Sequence, residues 1–368
     1  MGQSVTQAPN RFVYLDFLRF AFAMVVFFGH AKAYLALPKA ELAVDYFFIL
    51  SGFVLTHAYK DRVLAPQFLA SFIRDRVARL YPLHLATLAV LVFFNIWFLE
   101  VTNGQWLEQG WSYQDGRTYT LSLSLLLLNN VGLTPSGPSW NAPAWSISVE
   151  LWVNILLAVL AVVSRRHFIR LCAAAFLGCY LILFVYVGAL GDFYRNIGPL
   201  NTGILRGLAG MSAGIICYAV YRALLPVLPG KITVIAIAVA LVLLQFWLIA
   251  GGIAFKHSDF LIVPASGVTV IAVALAETHH RGTRYDGALE WLGECSYAIY
   301  MTHWIVLVFI NYFLIYAWRL DINLHDPVHF ISVVVAVLVL SRLSFVLIER
   351  PGKRFIRGLS KRRESRGV

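Results

Sequence analysis

Apolar residues gather into ten windows along the chain, at 12–34, 42–58, 80–99, 145–164, 171–190, 203–222, 232–250, 260–277, 297–317 and 328–348. Each is close to the roughly 20 residues that a helix needs to cross a ~30 Å hydrocarbon core. The pattern predicts an all-α fold, a polytopic membrane bundle of about ten transmembrane helices. A shorter apolar run, LSLSLLLLNN at 121–130, predicts a re-entrant or interfacial piece ahead of the fourth span. No internal repeat or separate soluble domain interrupts the series. Residues 1–350 therefore read as one transmembrane domain and 351–368 as a basic tail.

Composition supports the pattern. The chain is 60% apolar and 13% charged, whereas soluble domains run nearer 45–50% and about 25%. Its formal charge of +11 comes from 30 basic and 19 acidic residues. The distribution of that charge argues for lipid rather than nucleic acid as the partner. Ten spans return both termini to one side, where Arg11 and the basic tail are joined by Lys60, Arg62, Arg74, Arg76, Arg79, Arg165, Arg166, Arg170, Arg222, Lys231, Arg281 and Arg284. The opposite loops carry only Lys32, Lys39, Arg117, Arg195, Lys256 and Arg319. This asymmetry predicts cytoplasmic termini, with anionic membrane lipids as the partner of the tail.

Cys172, Cys179, Cys217 and Cys295 fall in or beside apolar segments and show no metal-ligand spacing. They read as buried free thiols, and no metal site is expected. The first apolar segment lacks a small-residue cleavage pattern, which predicts a retained anchor. The long segment 100–144 contains Trp106, Trp111 and Trp140 and leads into Trp145. These rings either stack on sugars or anchor at lipid headgroups.

The first span holds two expensive residues, Arg19 and His30 in LDFLRFAFAMVVFFGH. At about 100° per residue, eleven positions make three turns plus ~20°, so both side chains share one face with a rise of ~16 Å between them. A charge at this depth costs at least ~2.5 kcal/mol and marks the bundle interior. His30 falls near the outer end, where a histidine serves either as an interfacial residue or as a general base toward a hydroxyl.

Span four opens AWSISVELW, with Ser146 and Glu150 on one face. A buried Glu150 calls for a partner, either a histidine that it would orient as a base or an arginine in a structural ion pair. Arg76 and Arg79, three apart in FIRDRVARLYP, suit bidentate phosphate contact or belong to the inner charge run. Arg206 and Arg342 are further cations within predicted spans. DYFFILSGF places Ser51 and Gly52 where they allow close helix approach. His303, in ECSYAIYMTHW beside Tyr297 and Tyr300, reads as packing or interfacial.

Taken in order, these segments resemble the acyltransferase-3 family of integral membrane acyltransferases. The likeness covers nearly the whole chain. Leu15 to Arg19 matches the LDxLR opening, Arg19 and His30 the Arg-x10-His motif, and FFILSGF the FFxxSGF element. Arg76-Val-Ala-Arg79 matches RxxR, Ser146 to Glu150 matches SxxxE, and CSYAIYMTHW with IERP resembles the closing signatures.

The resemblance implies an enzyme of the bacterial inner membrane that moves an acyl group, usually acetyl, from cytoplasmic acyl-CoA to a hydroxyl. Acceptors in such a family are saccharides or lipid-linked glycans, as in lipopolysaccharide and exopolysaccharide modification. It implies acetyl-CoA or another acyl-CoA as co-substrate and no bound cofactor. It also implies the standalone type, so that any extracytoplasmic esterase-like partner would be a separate protein.

Combined with the geometry, it predicts acyl-CoA held by Arg19, Arg76, Arg79 and Arg206, with His30, Glu150 and Ser146 catalytic. His30 would be the base, Glu150 would orient it, and Ser146 would position Glu150 or the acceptor. Transfer direct to the acceptor and transfer through an acyl-histidine both need the same histidine. The rival reading is a proton-coupled secondary transporter in which intramembrane Arg, Glu and His form a relay.

Overall fold

The computed structural model describes residues 11–364 apart from 33–36, 64, 66, 104–115, 135, 136, 138, 199, 229, 254, 280 and 281. Among the described residues twelve helices follow one another: α1 (Val13–Ala31), α2 (Ala43–Tyr59), α3 (Phe68–Val101), α4 (Arg117–Leu125), α5 (Ala144–Val163), α6 (Phe168–Ile182), α7 (Thr202–Leu224), α8 (Lys231–Ile249), α9 (Ile262–Thr278), α10 (Asp286–Val308), α11 (Pro327–Ser344) and α12 (Arg350–Glu364). Wider π-helical turns extend α6 and α10 and join α11 to α12. Among the described residues the only strands are the two-residue pair Asn196–Ile197 and Leu200–Asn201.

Among the described residues ten helical stretches are long and apolar enough to cross a bilayer, and each overlaps one predicted window. Ten crossings leave the start of α1 and the whole of α12 at one end of the bundle, the basic end. The short run at 121–130 becomes the nine-residue α4 followed by a turn.

The boundaries differ wherever charges interrupt a helix. α3 starts at Phe68 rather than 80, so Arg76 and Arg79 lie within a helix and not in a loop. At 1.5 Å per residue its 34 residues reach about 51 Å, well beyond the apolar core. α10 likewise starts at Asp286, eleven residues before the predicted window, because Glu290 and Glu294 hide its first turns from a hydropathy reading. Residues 350–364, expected to be a tail, continue the last helix.

α1, α2, α5, α7, α9 and α10 carry most of the buried side chains. α6, α8 and α11 present Leu177, Leu181, Ile232, Val328, Ile331 and Val339 outward, as lipid-facing helices do. α2 and α7 meet backbone to backbone. A Cβ at Gly52 would collide with the Met211 carbonyl, and one at Gly214 with that of Ile49.

The start of α1 is held by Glu277 of α9, whose carboxylate accepts from the amides of Val13 and Tyr14. Those donors have no partner within the helix itself. α1 and α10 then run side by side in the same direction. Asp16, Arg19 and His30 on α1 face Gly293, Ser296 and His303 on α10.

Candidate active site

A cavity of about 450 Å³ enters the bundle from the basic end between α1, α2, α3, α5 and α10. Arg11, Arg76, Glu294 and Lys353 line its entrance region, and Arg19, Arg79 and Tyr297 its middle. Phe47, Ser146, Glu150 and Tyr300 lie farthest along it. Five cations therefore face two carboxylates across the lining, an arrangement suited to a polyanion.

Each arginine is held differently. Arg19 donates from Nε to Ser296 Oγ (2.7 Å), donates to Gly293 O (3.2 Å) and pairs with Asp16 (3.1 Å). Arg79 pairs with the buried Glu349 and lies over the Tyr297 ring at 5.1 Å. Arg76 lies over Phe72, and its Nε is buried with no hydrogen-bond partner. The predicted donor residues Arg19, Arg76 and Arg79 thus share one cavity.

Arg206 does not belong to that set. Its side chain is 2% exposed and makes a two-pronged pair with Asp45, Nε to Oδ1 at 2.9 Å and an Nη to Oδ2 at 2.7 Å. Its remaining donors reach Leu190 O (2.8 Å) and Glu41 O (2.7 Å), and it lies 5.5 Å from the Trp145 ring centroid. It sits in the first turns of α7, at the end away from the basic entrance, with no lining position in the cavity. The residue expected to hold acyl-CoA forms a buried ion pair instead. Arg342 stays near the basic end, stacked 4.9 Å from the Trp291 centroid and 3.8 Å from Glu294.

The predicted Glu150–His30 contact is also replaced. Glu150 accepts from Ser51 Oγ (3.2 Å), which in turn accepts from Asn154 at 3.4 Å. Ser146, although on the same helix face as Glu150, bonds to the Tyr300 hydroxyl (2.7 Å) and donates to Pro143 O (3.3 Å). Both stand on the cavity wall, but neither reaches His30.

His30 lies exposed in the last turn of α1, at the end opposite the entrance. Its Nδ1 lies 2.9 Å from Nε2 of His303, which is wholly buried, and His303 Nδ1 lies 2.9 Å from Ile299 O. The Tyr300 ring, at the far end of the cavity, is 6.1 Å from the His303 ring. One aromatic layer thus links the cavity to the histidine pair.

His303 is the residue that sequence reasoning passed over. It could have been found by its spacing. Ser296, Tyr300 and His303 recur at i, i+4 and i+7, a polar stripe on an intramembrane helix, and such a stripe marks a bundle interior or a site.

Of the outer tryptophans, Trp106 and Trp111 lie outside the described residues. Trp140 and Trp145 are buried, the first donating to Thr120 Oγ1 and the second stacked 4.1 Å from Phe193. Neither is a lipid anchor or an open sugar platform. No group of three or more His, Cys, Asp or Glu able to hold a metal occurs among the described residues.

A family model described as an acyltransferase domain matches residues 12–346. Among curated proteins, the chain is 26% identical over 361 residues to a protein of Komagataeibacter xylinus provisionally named membrane-bound transacylase BcsY, covering 93% of this chain and 83% of that one. It is 26% identical over 306 residues to Acyltransferase MdmB of Streptomyces mycarofaciens, covering 73% and 68%. It is 34% identical over 160 residues to Protein 2 in picA locus of Rhizobium radiobacter, covering 41% and 82%. No solved structure matches the chain.

Proposed function

Because the chain belongs to the acyltransferase-3 family of integral membrane acyltransferases, we propose that it is an acyl-CoA-dependent O-acyltransferase of the bacterial inner membrane. In this reading it carries an acetyl group from the cytoplasmic side to a hydroxyl of a saccharide or lipid-linked glycan on the other side. The observation that carries the reading is the cavity. It is cationic where a CoA molecule would enter and ends one aromatic ring from a histidine pair that reaches the opposite face.

Arg76, Arg79, Arg11 and Lys353 hold the donor phosphates, and Arg76 brings a buried Nε that has no other partner. The pantetheine arm follows the cavity past Arg19 to Ser146 and Tyr300. There Tyr300 turns its O–H from Ser146 Oγ to the thioester carbonyl and donates to it as negative charge builds on oxygen, while Ser146 keeps its bond to Pro143 O. Glu150, bonded to Ser51, accepts from an amide of the arm.

The acceptor approaches from the opposite end, where His30 is exposed. His30 takes the hydroxyl proton as the oxygen attacks the thioester carbon, the C–S bond breaks, and the CoA thiolate receives the proton back. Acceptor alcohol and acyl-CoA become acyl ester and CoA thiol, with atoms and charge balanced.

The purified protein in nanodiscs, supplied with acetyl-CoA and candidate glycans, is expected to release CoA thiol together with an acylated glycan. Substitution of His30 by Ala is expected to abolish release while leaving CoA binding intact. Proton-coupled solute flux in the absence of acyl-CoA, with no ester formed, would replace this reading by a transporter.

A further inference from the structure

We propose that His303 is the positioning residue of this reaction. Its Nε2 accepts the Nδ1–H of His30 and so keeps His30 in the tautomer whose Nε2 bears the lone pair. The inference rests on the acyl-transfer reading with His30 as base.

The argument follows the protons from the buried end outward. The Ile299 carbonyl can only accept, so its 2.9 Å contact requires an N–H on His303 Nδ1. A neutral imidazole has one N–H, which leaves a lone pair on His303 Nε2. The atom 2.9 Å from that lone pair is His30 Nδ1, and a bond there requires His30 to donate. With its proton on Nδ1, His30 presents a bare Nε2. One backbone carbonyl on α10 thereby sets the state of a base on α1, through a histidine 273 residues from it in the chain.

The alternative of two imidazolium ions in contact places like charges side by side, one of them on the wholly buried His303, and this is costly. Packing removes ring freedom as well. His303 lies between Phe27 and Tyr300 with centroids 6.2 and 6.1 Å away, and Trp304 meets the His30 ring edge-on at 5.3 Å. The arrangement performs the task usually given to a carboxylate behind a catalytic histidine. It does so with a neutral acceptor, which avoids placing an anion inside the membrane.

The full-length protein in nanodiscs tests this through two variants. His303→Leu fills the site without an acceptor, and His303→Gln offers an amide oxygen near the place of Nε2. His30→Ala is the reference. His303→Leu is expected to lose about 100-fold or more in kcat, in the range for a misoriented general base. KM for acetyl-CoA is expected to stay within about twofold, because His303 is absent from the donor cavity. His303→Gln is expected to recover about tenfold over Leu, on the order of one restored hydrogen bond.

15N-histidine NMR reads the tautomer directly. In the unmodified protein the His30 signal is expected to report N–H at Nδ1 and a bare Nε2, and in His303→Leu a mixture of the two forms. Turnover by His303→Leu within about threefold of the unmodified protein overturns the proposal. So does a Gln variant no better than Leu, or an Nε2–H signal for His30 in the unmodified protein. If His303→Leu does not fold, the NMR of the unmodified protein and the Gln variant decides. A His30→Ala protein that still turns over overturns the base reading itself. An inactive His30→Ala beside an active His303→Leu overturns only the positioning role.

Discussion

Replacing Arg206 by methionine separates holding the fold from holding the donor. The methionine keeps much of the side-chain volume but removes the charge and all the hydrogen bonds. Asp45, 0% exposed, would then be a carboxylate without its counter-ion, and the Leu190 and Glu41 carbonyls would each lose a donor. Stranding one partner of a buried pair costs about 3–5 kcal/mol. Each orphaned carbonyl adds on the order of 1 kcal/mol.

Arg206→Met is therefore expected to shift the folding equilibrium by roughly four to five orders of magnitude, at about 1.4 kcal/mol per factor of ten. Removing both charges together, as Asp45→Leu with Arg206→Met, leaves no stranded ion and should restore a large part of the loss. Thermal unfolding followed by size-exclusion chromatography in detergent reads both variants, and acetyl-CoA KM is measured on whatever folds. A folded Arg206→Met of ordinary stability with a tenfold higher donor KM would refute the structural assignment and return Arg206 to the donor site.

Arg76→Gln should raise KM for acetyl-CoA about tenfold or more with kcat little changed, as a lost charge-assisted contact worth ~1.5–3 kcal/mol implies; steady-state kinetics at two salt concentrations checks it. Tyr300→Phe removes the hydroxyl bonded to Ser146 and is expected to lower kcat by about 10²-fold if that pair polarises the thioester, measured as CoA thiol release. Gly52→Leu forces α2 away from the Met211 backbone and should cost at least ~1–3 kcal/mol of stability through overpacking, visible as a lower unfolding temperature.

Much of this architecture was legible along the chain because the bilayer imposes a local rule. A helix that crosses ~30 Å of hydrocarbon must be apolar for about 20 residues, and that requirement is written in consecutive positions. All ten spans were recoverable from it, and the small residues of DYFFILSGF marked the close approach at Gly52, whereas the grouping of Arg19 with Arg76 and Arg79 was implied by the family resemblance and not by hydropathy. Errors gathered where a helix continues through charged turns, at Arg74 to Arg79, at Glu290 and Glu294 and beyond Glu349, because hydropathy reports burial in lipid and not helicity.

What the sequence alone could not decide is which buried polar group meets which. Glu150 called for a partner and found Ser51, 99 residues away; Arg206 found Asp45 at 161 and His30 found His303 at 273. A buried donor or charge needs some partner, and that need is a local property of the residue. The partner's identity depends on which helix faces are packed together, and only the folded bundle determines that.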